Sequence, residues 1–310
     1  MRHYKDLSYE TRELVVLEAF LRRTALVNQP FVLKGSLLTR QYLSDRTLRE
    51  VDDVDFLYAG KITDAEQARE IFTAWLIQVT ELDLDDGVMF RSFRENAFWR
   101  YIDYAMADDF PTVNTDIAYC FKNEGGEASE YDEFYLDVSF NLELNIQPIP
   151  LKYVPLFGVS FLVPYTVPLS VQVAWKLHQT IVRPRFKDLY DLRHLLSNSL
   201  YDRHALKETL QTIVDECSMD PSITKEAIKK ILVDDLYDLY PSLENDYDLR
   251  QYAGTLDRQL YFMEVVTDLR KLMNLAGIDA VAFKHLPKPT HLKSTSMFRR
   301  IFEKLTSTDR

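Results

Sequence analysis

Leu14, Leu17, Ala19, Phe20, Leu21 and Leu26 recur at helical spacing between Tyr9 and Asn28 and predict a first helix. Beyond Pro30, Phe31-Val32-Leu33 reads as a short strand leading into Lys34-Gly35-Ser36. Ser36 stands where it would cap a helix running through Leu37, Leu38 and Tyr42. Residues 51–58 read as a strand, and 64–80 as a helix that Asp64 caps. From Gly87 the pattern turns to short aromatic and β-branched runs, with strands expected at 88–93, 112–121, 133–140 and 159–163. Turn residues such as Asn123-Glu124-Gly125-Gly126 separate them. Past Pro164 and Pro168 the period becomes helical, over 169–182, 186–198, 203–217, 223–232 and 255–275. The pattern predicts an α+β fold, a mixed α/β domain over 1–165 and a mainly helical one over 166–310.

Composition narrows this picture. At 310 residues, 46% hydrophobic and 27% charged, the chain is long enough for two cores and ordinary for a globular protein. No apolar run approaches the roughly 18–20 residues of a membrane helix, and Met1 to Glu10 lacks the apolar centre of a signal peptide. Cys120 and Cys217 are too few for a disulfide framework or zinc cage, so a reducing cytoplasm is expected, with no membrane partner. A net charge of −11 argues against coating nucleic acid through the overall field. Charge is uneven, however: Lys284, Lys288, Lys293, Arg299, Arg300, Lys304 and Arg310 face only Glu303 and Asp309 in the tail. That tail reads either as a phosphate-contacting segment or as a solvated terminal helix.

Four elements carry candidate chemistry. Lys34-Gly35-Ser36 sits at a strand-to-helix junction, where a glycine lets backbone N–H groups approach phosphate. It is not a Walker A loop, because no glycine lies five residues before Gly35. Next, Asp53 and Asp55 alternate with Val54 and Phe56, so both carboxylates share one strand face about 7 Å apart. Two such charges call for a cation, and hard oxygens suit Mg²⁺, or Mn²⁺. Asp83/Asp85 and Asp246/Asp248 share that spacing, so position on an apolar strand is what sets Asp53 and Asp55 apart. Asp137 lies inside the aromatic strand Phe134 to Phe140, either as a solvent-facing edge charge or as a third metal carboxylate. Three carboxylates around two metals are the arrangement for in-line phosphoryl or nucleotidyl transfer.

The fourth element spans Trp175 to Leu192. Lys176, Thr180 and Arg183 fall on one helix face, Pro184 ends that helix, and Arg185, Asp188 and Asp191 follow. Two readings stand equally: a structural salt-bridge network, or cations that bind a triphosphate with an acid that orients them or takes a proton.

These residues resemble the AbiEii/AbiGii-type nucleotidyltransferase toxins, which include MenT-like proteins and have a polymerase-β-like core. The resemblance rests on Gly35-Ser36, on Arg49, Asp53, Asp55 and Phe56, on Asp137-Val138-Ser139-Phe140, and on Lys176 followed by Lys187-Asp188-Leu189-Tyr190-Asp191-Leu192. It covers roughly residues 30–196. It implies transfer of NMP from an NTP, with Mg²⁺, to a cellular acceptor such as the tRNA 3′ end, with translation arrested and a cognate antitoxin as partner. In these terms Asp53, Asp55 and Asp137 bind metal, while Lys34, Gly35, Ser36 and Arg49 hold phosphates. Lys176, Arg183 and Arg185 balance triphosphate charge, and Asp191, ahead of Asp188, is the functional acid, so the helical domain contributes to the site. The chain departs at Ser36, where many relatives have a second glycine, and at Val51, where relatives often carry a hydroxyl. Two alternatives remain: a phosphotransferase acting on protein, and an inactive fold that binds nucleotide or a partner.

Overall fold

The computed structural model describes residues 6–101, 111–122, 131–142 and 144–290. The Asn123 to Gly126 turn and the tail cations from Lys293 onward lie outside them. The chain divides into two compact units, residues 1–168 and 169–310.

The first unit is a mixed sheet with its two long helices packed on one face. Helix α1, Tyr9–Val27, starts at Ser8, whose hydroxyl accepts from the Thr11 amide, and stops at Asn28 in the left-handed conformation. Strand β1 (Phe31–Lys34), helix α2 (Gly35–Thr39), strand β2 (Asp53–Tyr58) and helix α3 (Ala65–Thr80) follow. Asp64 caps α3 as expected, accepting from the Gln67 amide. Strands β3 (Val88–Phe90), β4 (Arg100–Tyr101), β5 (Thr112–Phe121), β6 (Asp132–Phe140), β7 (Ile149–Tyr153) and β8 (Phe161–Thr166) complete the sheet. Its order is β3-β5-β6-β2-β1-β8-β7, with β4 also paired to β5. β2 runs parallel to β6 and antiparallel to β1.

Alternation sorts the two faces. Val54, Phe56, Leu136 and Val138 are buried, and aromatic rings from α1 and α3 fill the space over them. Phe31 stacks on Trp75 at 3.7 Å between centroids, and Phe20 meets Trp75, Phe90 and Phe134 edge-on. β7 carries Pro150, which a strand tolerates because β7 is the sheet's edge. Neither β7 nor the two-residue β4 was expected from the pattern, which has too few alternating positions there to register.

One local expectation is overturned. Ser36 does not cap α2: the helix begins at Gly35, no side chain caps it, and the Ser36 hydroxyl donates to Asp53 Oδ1 at 3.0 Å. A charged acceptor in space outcompetes the local amide.

The second unit is helical: α4 (Leu169–Val182), α5 (Phe186–Ser197), α6 (Arg203–Met219), α7 (Lys225–Leu232), α8 (Tyr240–Leu243), α9 (Tyr247–Ala253), α10 (Arg258–Ala276) and α11 (Ala280–Lys284). Its core joins Leu177, Phe186, Leu189, Leu192, Ile213, Phe262 and Val265, all buried. The Thr209 hydroxyl donates to the Ser170 carbonyl and Trp175 Nε1 donates to Glu216, tying α4 to α6. The class is the α+β one that the pattern predicts, with a mixed sheet followed by helices.

Candidate active site

Register makes the first part of the site. Asp55 pairs with Asp137 across the parallel β2–β6 ladder, and Asp53 pairs with Tyr135 two residues earlier. Paired residues on neighbouring strands point to the same face and stand about 4.8 Å apart. Three carboxylates therefore share the face that α1 and α3 leave open. Asp137 is on an interior strand, between β5 and β2, which removes the edge-charge reading.

The junction before them is built around Asp55. Gly35 has φ +73°, and a Cβ there would lie 1.8 Å from Asp55 Oδ2. Only glycine permits both that backbone and that approach. Lys34 Nζ reaches Asp55 Oδ1 at 3.1 Å, with both side chains mostly buried. Lys34 and Ser36 thus hold one oxygen each of Asp55 and Asp53.

At Asp137 burial and repulsion outweigh attraction. Burial and the neighbouring Asp55 push Asp137 up to about 7, against the opposing pull of Lys34 and Arg100. Among the described residues no three His, Cys, Asp or Glu side chains form a cage able to hold a metal unaided. Hard oxygens on one open face, with charge unbalanced, fit a divalent cation that keeps water and substrate oxygens as its other ligands. They do not fit a closed structural metal site.

Lys176, Arg185, Asp188 and Asp191 come together within the helical unit. Lys176 Nζ lies 2.7 Å from Asp191 Oδ2 and 3.2 Å from Asp188 Oδ1, and Arg185 Nε lies 2.6 Å from Asp188 Oδ2. Asp188 and Asp191 are 1% and 0% exposed, so two buried acids share one lysine. Burial alone would raise Asp188, but Lys176 and Arg185 outweigh it and hold it below the ordinary carboxylate range. Thr180 does not join the cations; its hydroxyl donates to the Lys176 carbonyl.

Two further expected phosphate ligands differ in exposure. Arg183 lies just past α4, exposed and in no ion pair with a described residue. Arg49 is 8% exposed and donates to the Glu50 carbonyl. Residues not anticipated are Asn114 and Asp116 on β5, Tyr135 on β6 and Arg100 on β4. The polar positions of β5 were visible as alternation, but their neighbours were not.

The profile described as nucleotidyl transferase AbiEii toxin, type IV toxin–antitoxin system, matches residues 19–239. The chain belongs to the AbiEii family. It is accordingly a nucleotidyltransferase and the toxin of a toxin–antitoxin pair, with an NTP as substrate and a cognate antitoxin implied. Among solved structures, the chain is similar to a provisionally assigned nucleotidyltransferase from H. pylori, at 18% identity and TM-score 0.47, covering 91% of this chain and 99% of that one. It is also similar to MenT4, a nucleotidyltransferase toxin from Mycobacterium tuberculosis H37Rv, at 16% identity and TM-score 0.48, covering 92% and 94%. No curated protein matches it. No helix among the described residues is long and apolar enough to cross a membrane.

Proposed function

We propose that this AbiEii-family toxin transfers a nucleoside monophosphate from an NTP to the 3′ end of an RNA, tRNA in particular, in the cytoplasm, arresting translation until its antitoxin intervenes. The observation that carries this reading is the β2–β6 register, which sets Asp55 beside Asp137 with Asp53 on the same open face. Asp53, Asp55 and Asp137 would hold Mg²⁺, or Mn²⁺, which supplies Lewis-acid stabilisation of the charge that builds on the reacting phosphate.

The protein's own groups prepare that face. Lys34 and Ser36 fix the carboxylates of Asp55 and Asp53, and Gly35 lets the chain pass against Asp55. In the helical unit, Lys176 is assigned to triphosphate charge, with Asp191 as the acid that orients it and Asp188 fixing Lys176 and Arg185 together. Exposed Arg183 is available to outer phosphate oxygens. In the transfer, the acceptor hydroxyl oxygen bonds to the α-phosphorus and its proton passes to solvent. The bond from that phosphorus to the bridging oxygen breaks, and pyrophosphate leaves with the electron pair.

The test is to incubate the protein with Mg²⁺, total tRNA and each α-³²P-labelled NTP in turn, beside Asp53→Ala and Lys176→Ala variants. Label on RNA with one NTP, reduced on the order of 10³-fold in Asp53→Ala, is expected. Label on protein instead would replace the RNA acceptor. Transfer of γ-label alone would overturn nucleotidyl transfer in favour of a kinase.

A further inference from the structure

The row that contains Asp55 and Asp137 does not end there. Lys34, Asp55, Asp137, Asn114 and Arg100 are successive register partners on five adjoining strands. At about 4.8 Å per strand the two cations stand roughly 19 Å apart, with the carboxylates between them. Arg100 is fixed: its guanidinium donates to Asn114 at 2.9 Å and to Asp116 at 2.5 Å, and it lies over the Phe98 ring at 5.0 Å. Its side chain is nonetheless 47% exposed.

In the adjoining row, Tyr135 pairs with Asp53 on one side and Asp116 on the other. Tyr135 is 59% exposed, a large aromatic ring standing in water on a strand whose other face is core. No packing requirement explains it. In-line displacement places the attacking group and the leaving pyrophosphate on opposite sides of the α-phosphorus. Lys34 is engaged with Asp55, and the exposed side chains of this face, Tyr135 on β6 and Arg100 on β4, lie on the other side of β2 from it. An exposed ring beside a tethered, exposed guanidinium matches what an unpaired nucleotide offers, a π-face and a phosphate.

We infer that the face between Asp137 and Arg100 receives the single-stranded 3′ end of an RNA acceptor, with Tyr135 stacking on a base and Arg100 pairing with a phosphate. This rests on the nucleotidyl-transfer reading above and assigns the acceptor side of the same site. Single strands are favoured because a stacking platform needs a base free of its neighbours.

The full chain, without added metal or NTP, is titrated into a fluorescein-labelled single-stranded RNA of about ten nucleotides and into its duplex, with anisotropy as readout. Wild type should prefer the single strand. Tyr135→Ala should weaken it about tenfold, and Tyr135→Phe should restore wild-type affinity, since the ring and not the hydroxyl stacks. Arg100→Gln should weaken binding and make its salt dependence shallower by about one unit of slope. In transfer assays Tyr135→Ala should raise the KM for RNA while leaving the KM for NTP in place. No single-strand binding by wild type, equal binding of the duplex, unchanged affinity in Tyr135→Ala, or no recovery in Tyr135→Phe would each overturn the surface. Should label fall on protein while Tyr135 still governs RNA binding, the acceptor reading fails and the surface stands. Should RNA be labelled with an unchanged KM in Tyr135→Ala, the surface fails alone.

Discussion

Asp137 in the sheet and Asp188 in the helical unit are the same side chain withdrawn from water, and they titrate in opposite directions. Asp137 is pushed up to about 7 by burial and by Asp55 beside it, whereas Asp188 is held low by Lys176 and Arg185. Burial acts the same way on both; the sign comes from which charges are near. The helical unit neutralises its acids with its own cations. The sheet assembles three acids, and at Asp137 burial and the neighbouring acids outweigh the pull of Lys34 and Arg100.

That contrast can be broken by removing one acid from each side. Asp188→Ala should cost about 3–5 kcal/mol of stability, because it removes the buried anion that joins Lys176 to Arg185, and denaturant melts will show it. A loss below about 1 kcal/mol would mean that the Lys176 network is not structural at all.

Two buried groups sharpen the comparison through pH. Glu18 is pushed up from 4.5 to about 7, mainly by burial, which outweighs Arg40 at 3.3 Å and the hydrogen bonds from Tyr153 and the Leu156 amide. Its protonated form is favoured in the folded state, so its contribution is complete below pH 4.5 and is lost as pH rises towards 7. His178 behaves oppositely. Burial lowers it from 6.5 to about 4 against the pull of Asp220, and neither ring nitrogen has a partner among the described residues. Its contribution is present above 6.5 and is lost as pH falls towards 4. Each change should be on the order of 3 kcal/mol across its window. Chemical denaturation from pH 4 to 8 should show Glu18→Gln flattening the rise-in-pH loss and His178→Leu the acid loss. An unaltered profile in either variant would refute that assignment.

The smallest effect is the most telling. Asp137→Asn should raise stability at pH 8, on the order of 1 kcal/mol, while ending transfer, since it relieves the repulsion that a ligand would otherwise balance. Destabilisation there would mean that Asp137 is already neutralised within the protein.

Much of this was legible along the chain because it depends on short range. Helices α1 and α3 follow from apolar period, and α3 from Asp64 as its cap. Asp53 and Asp55 share a face because side chains alternate on any strand. Ser36 shows where such reasoning stops. Its local preference was a helix cap, but Asp53, distant in sequence, offers a charged acceptor that no window around Ser36 contains. Lys176 and Asp191 were visible as a spacing, yet spacing left a structural salt-bridge network and a triphosphate site equal; their low exposure, 13% and 0%, is a property of the surrounding core. Arg49 looked like an open cation and is instead buried.

The sequence by itself determined the α+β class, the elements that carry the candidate acids and the family resemblance, since these reside in periodicity, capping and motif order. Only the tertiary structure decided that Asp55 meets Asp137, that Gly35 must lack a Cβ because Asp55 occupies its place, and that Arg100 and Tyr135 extend the same face. Strand register joins residues tens of positions apart, and it is settled by how whole faces bury, which no local stretch encodes.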